Sequence, residues 1–165
     1  MTPPNPAPPT TPGSYRSHQA ARLQRATLSD ITRLCRLYTL ARPGHPESEK
    51  SMREWLERGG ALLLAGEAGE VLCALRWRTA ERGWRLDPPI ILSGARGLGF
   101  ERWLMTKVEA LAIRHNVAAL TVTVTETAPL PFYERLGYRI ASATGDVTTL
   151  RKRVGGTWQY QEKAS

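Results

Sequence analysis

A length of 165 residues, with 41% hydrophobic and 23% charged side chains, suits a single globular domain with a proper core. Lys+Arg 23 against Asp+Glu 15 leaves a formal charge of +8, which favours an anionic ligand, nucleic acid among the candidates. No apolar run approaches membrane-spanning length, and the two cysteines, Cys35 and Cys73, lack the spacing of a metal or redox motif.

The basic residues are scattered, and Arg151-Lys152-Arg153 is their main run, which reads as a solvated strand end. Both cysteines sit inside apolar patterns and read as core residues of a reducing compartment. The N-terminus lacks the apolar stretch of a secretory leader, so the cytoplasm is the expected location.

Residues 1–19 hold six prolines among Thr, Asn and Ala and are expected to form a disordered, polyproline-like tail. Residues 20–155 carry the domain, and 156–165 form a C-terminal tail. Arg22 to Ala26 alternates as a first strand. Thr27-Leu28-Ser29-Asp30 then has the spacing of a capping box. Ile31, Leu34, Cys35 and Tyr38 form the buried stripe of a helix stopped by Pro43-Gly44. A second helix is expected over Glu47 to Arg58.

Two apolar runs, Ala61 to Ala65 and Val71 to Leu75, flank Gly66-Glu67-Ala68-Gly69 and read as a hairpin; Arg76 to Arg78 prolong it. Trp84 to Leu86 starts a further strand, Asp87-Pro88-Pro89 interrupts it, and Ile90 to Leu92 completes it. Leu120 to Thr125 is a β-branched, alternating strand, expected parallel to Ile90–Leu92 across an intervening helix. Phe132 to Leu136 is a short helix ended by Gly137. Tyr138 to Ala143 and Val147 to Arg153 make a last hairpin; Trp158 and Tyr160 read equally as a further edge pairing or as part of a frayed tail.

The chemistry concentrates at Arg96-Gly97-Leu98-Gly99, where an apolar strand turns into the helix that begins at Phe100. Glycines let backbone N–H groups come close to a ligand, and the first amides of a helix attract an anion. A tight connection with no ligand is the plainer alternative. A dinucleotide fingerprint is excluded because Arg102 stands where it needs Gly or Ala, and no Gly-Lys-Ser/Thr follows for a P-loop.

This loop resembles the acyl-CoA pyrophosphate loop Q/R-x-x-G-x-G/A of the GNAT-type N-acetyltransferases. Phe132-Tyr133-Glu134-Arg135-Leu136-Gly137-Tyr138 resembles that family's later F-Y-E-x-L-G-F/Y signature. The two motifs flank a Thr-Val strand, and the resemblance covers residues 22 to 153. It implies an α/β (α+β) domain with a mixed, mostly antiparallel sheet of six or seven strands, a splayed parallel pair at its centre and flanking helices.

It also implies acetyl-CoA as co-substrate, bound by Ile91 and Leu92 at the pantetheine arm and by Arg96, Gly97, Leu98, Gly99, Phe100 and Glu101 at the diphosphate. Tyr133 matches the family tyrosine that protonates the departing thiolate. The other implied partner is an amine acceptor, and a homodimer is allowed; a nucleic-acid-binding domain, suggested by the net charge of +8, is the last-ranked alternative. Two positions depart from the family pattern: Glu101 stands where Gly or Ala is usual, and Glu126 where asparagine often helps hold the cofactor. They keep open a non-catalytic acyl-CoA-binding module. For the acceptor's proton, Asp87, Glu70, Glu81 and His45 all read as turn residues rather than a base.

Overall fold

The computed structural model describes residues 21–126 and 129–155. Both expected tails, and the pairing assigned to Trp158 and Tyr160, lie outside the described residues. Strand β1 (Arg22–Arg25) leads through a 3-10 turn at Leu28–Asp30 into α1 (Ile31–Ala41). Helix α2 (Glu49–Arg58), the hairpin β2 (Gly59–Ala65) and β3 (Val71–Ala80), then β4 (Gly83–Leu86) and β5 (Ile90–Ile91) follow. Helix α3 (Phe100–Arg114), β6 (Ala119–Val124), α4 (Leu130–Arg135), β7 (Arg139–Thr144) and β8 (Val147–Arg153) complete the order.

One sheet runs β1-β2-β3-β4-β6-β8-β7, with β5 also paired to β3. Its described pairings are antiparallel except β4 with β6. Side chains alternate across a strand, so the unbroken apolar run of β2 needs a covered face on each side. It has both. Leu62 and Leu64 join Leu75, Leu104, Met105 and Val108 beneath α3. Leu63 and Ala65 join Leu34, Tyr38 and Met52 beneath α1 and α2.

One helix start and one strand pairing that bear on the site differ from the sequence reading. Helix α2 starts at Glu49, because the Ser48 side chain caps it by accepting from the Ser51 N–H at 3.1 Å. Glu47 is thereby left outside the helix and turns to a buried arginine.

The parallel pairing also falls elsewhere. Strand β6 aligns with β4, from Trp84↔Leu120 to Leu86↔Val122, and not with Ile90–Leu92. From Trp77↔Leu86 to Ala74↔Ile90 the chain takes three steps on β3 and four on the other side, which is a β-bulge at Asp87–Pro89. Pro88 and Pro89 have no N–H to give a neighbouring strand. Beyond Leu86 the chain therefore follows β3 and leaves β6, which counts the interrupted strand twice and brings the sheet to eight.

Candidate active site: a cleft between β5 and β6

The divergence opens a cavity of about 630 Å³. Asp87 to Ile91 line it from one strand and Thr123 to Glu126 with Pro129 from the other; Ala41, Arg42, His45, Arg96 and Glu101 line it as well. A smaller pocket of about 140 Å³ shares Ile91, Arg96 and Glu101 with it and is lined further by Gly97, Gly99, Arg102 and Phe132. The glycine turn and the cleft thus adjoin through common residues.

At the turn, Gly97 and Gly99 both have φ +79, the left-handed region that costs other residues strain. Nothing lies within 4 Å of where a Cβ would stand on either, so the space above them is open. Among the described residues the N–H groups of Gly97, Gly99, Glu101 and Arg102 meet no backbone acceptor. Unpaired amides at a helix start suit a multiply charged anion. Arg96 is exposed beside them and adds a full positive charge. The residues present therefore fit a diphosphate. Glu101 is exposed, so its carboxylate can turn to water.

On the cleft wall, antiparallel strands point successive backbone groups to opposite sides. The Leu92 N–H donates to the Leu72 carbonyl at 2.8 Å, and Ile90 is the next residue paired in the same sense, with Ala74. The backbone N–H and C=O of Ile91 consequently face the β6 side, where no strand among the described residues takes them. Of the two residues expected along an acyl arm, Ile91 offers its amide and Leu92 does not.

Tyr133 is 2% exposed, packed edge-on against Phe132 and Tyr138 in the core under α3. Burial raises its pKa well above the usual phenol value, and the negative charges of Glu101 and Asp87 raise it further against Arg42. All three charged groups line the cleft. Tyr133 itself lines neither the cleft nor the glycine pocket, although Phe132 beside it lines the pocket. With its pKa raised, the phenol stays protonated at neutral pH.

Sequence reasoning missed a buried charge cluster beneath the other end. Arg76, 4% exposed, grips Glu47 with both terminal nitrogens at 3.0 and 3.2 Å. Its Nε donates to Asp87 Oδ2 at 2.9 Å, and Arg42 Nη1 donates to the same oxygen at 3.2 Å. The Arg76 guanidinium also lies 4.2 Å from the ring centre of Tyr38 and 4.4 Å from that of Trp55. Burial opposes the charge on Glu47, but hydrogen bonds from Arg76 and Ser51 outweigh it and hold the carboxyl below its usual range. Asp87 is accordingly no solvated turn residue. The one signal in the sequence was an arginine in the middle of an apolar strand. Glu70 and Glu81 are exposed and line neither the cleft nor the glycine pocket. His45 and Glu126 are exposed on the cleft itself.

Residues 40–151 match the family model described as acetyltransferase (GNAT) domain. Solved structures share the fold. The ribosomal-protein-S18-alanine N-acetyltransferase of Escherichia coli superposes with a TM-score of 0.72 at 17% identity, over 83% of this chain and 96% of that one. A phosphinothricin acetyltransferase from Sinorhizobium meliloti, solved in complex with AcCoA, gives 0.67 at 16% identity, over 84% and 91%. An acetyltransferase from Thermus thermophilus gives 0.65 at 18%, over 81% and 97%. No curated protein matches in sequence. With its family match spanning most of the sequence, its splayed parallel pair and its open glycine turn, the chain belongs to the GNAT acetyltransferases.

Proposed function

We propose that the protein transfers an acetyl group from acetyl-CoA to a primary amine of a small molecule or peptide, by direct attack within the β5–β6 cleft. The observation that carries this reading is the row of unpaired amides at Gly97, Gly99, Glu101 and Arg102, set against a cavity that only a broken strand could open. Acetyl-CoA supplies a thioester whose carbonyl carbon the amine attacks; the C–S bond breaks and the thiolate leaves. The chain's residues bind and orient. The turn amides and Arg96 hold the diphosphate, Leu98 and Phe100 complete that loop, and the Ile91 amide faces the acyl arm. Tyr133 gives its phenolic proton to the leaving sulfur, and the proton lost by the amine passes to water.

Two buried, unbonded cysteines support a reducing compartment, hence the cytoplasm. Among the described helices none is long and apolar enough to cross a membrane.

A panel of primary amines with acetyl-CoA, followed by thiol release, tests the reading. Cys35 and Cys73 are both buried, and reactions without amine or without acetyl-CoA correct for the protein's own thiols. We expect amine-dependent release that falls about a hundredfold or more in kcat for Tyr133→Phe, with acetyl-CoA affinity unchanged. Tight acetyl-CoA binding with no turnover on any amine would favour the non-catalytic module instead.

A further inference from the structure

Asp87 is held in an unusual way. Both guanidinium hydrogen bonds that reach it, from Arg76 and Arg42, land on the same oxygen, Oδ2. Its backbone N–H is fixed as well, donating to the Arg76 carbonyl at 3.0 Å. Among the described residues nothing donates to Oδ1. The side chain is 17% exposed and lines the cleft, so this remaining acceptor is the one the cavity can use.

The charges around it are balanced. Arg76 and Arg42 carry two positive charges against Glu47 and Asp87, so the cluster is neutral as a whole and presents the cavity with a free acceptor, not a free cation. A carboxylate rigidly aimed, with one lone-pair face free, suits a group with N–H donors and a positive charge. An amine acceptor arrives in that form at neutral pH.

We propose that Asp87 Oδ1 is the docking point for the acceptor's ammonium head, and so selects cationic amines over neutral nucleophiles. Arg76 and Arg42 fix the carboxylate from behind while the bulge at Pro88–Pro89 presents it to the cleft. The inference rests on the acetyl-transfer reading, because it assigns the acceptor's end of the same cavity.

The test compares matched pairs of nucleophiles that differ in charge near pH 7: butylamine with butyric hydrazide, and 2-phenylethylamine with phenylacetic hydrazide. For Asp87→Asn, the expected result is a fall of about tenfold to a hundredfold in kcat/KM on the amines, carried by KM. The neutral hydrazides should change by less than about threefold, and calorimetric acetyl-CoA affinity should not move. Equal losses on both members of a pair, or loss of acetyl-CoA affinity, would mean a structural role only and would overturn the proposal. So would an unchanged amine KM. Calorimetry of the same amines on the CoA-loaded protein separates the two claims. Charge-selective binding that Asp87→Asn removes, without turnover in the native protein, keeps the docking point and sinks acetyl transfer. Turnover without charge selectivity does the reverse.

Discussion

Glu101 sits in the first turn of α3 and lines both cavities, a few ångströms of backbone from the amides proposed to hold a diphosphate. Like charges at that range repel by about 1 kcal/mol in water and more where water is excluded. Glu101→Gln is therefore expected to tighten acetyl-CoA binding about threefold to tenfold by calorimetry, with little change in stability. The proton donor makes a second expectation. Burial, with Glu101 and Asp87 behind it, pushes the Tyr133 pKa up, so the group does not ionise over the working range. The kcat profile should then show no alkaline limb attributable to Tyr133 below about pH 10. A limb near pH 8.5 that vanishes in Tyr133→Phe would remove it from the donor role. These residues were legible because short spacing carries them: two glycines before a helix, an aromatic pair before a turn. Asp87 was not. Its partners Arg76 and Arg42 lie 11 and 45 positions away in the chain, and only the folded sheet brings them together.

Among the elements, the parallel pair β4–β6 sets the position of the cleft, and Gly83 at the start of β4 lies close against the Ala119 backbone. A Cβ there would stand 2.0 Å from the Ala119 carbonyl oxygen, and φ +144 already disfavours any side chain. Backbone lies on both sides, so no rotamer can relieve the contact. Gly83→Ala should lower stability by about 2–3 kcal/mol, read as a shift of the urea midpoint at constant slope. Most elements were readable in the sequence because periodicity and turn residues mark them locally. Strand partners were less so. Both β4 and β5 precede the α3–β6 passage, and a handedness rule cannot say which half of an interrupted strand β6 will meet. The bulge decides that, and its two prolines showed only that the strand was interrupted.

For the molecule as a whole, acid should act through the charge cluster. Hydrogen bonds hold Glu47 below its usual range against the effect of burial, and Asp30 likewise through the Thr27 N–H and Arg33. A carboxyl with a lowered folded pKa contributes stability above its unfolded value of about 4 and loses it as pH falls through the folded one. Stability should thus decline from about pH 5 downwards. Glu47→Gln should flatten part of that slope and cost about 3 kcal/mol at pH 7, since it leaves one face of Arg76 uncompensated in the interior. The proline bulge has a kinetic corollary. A gap kept by residues that cannot donate to a neighbouring strand has no zipped form to populate, so there is nothing for an arriving ligand to pry apart. Stopped-flow mixing with acetyl-CoA should give one exponential whose rate climbs in a straight line with concentration, as expected of a port that is never shut.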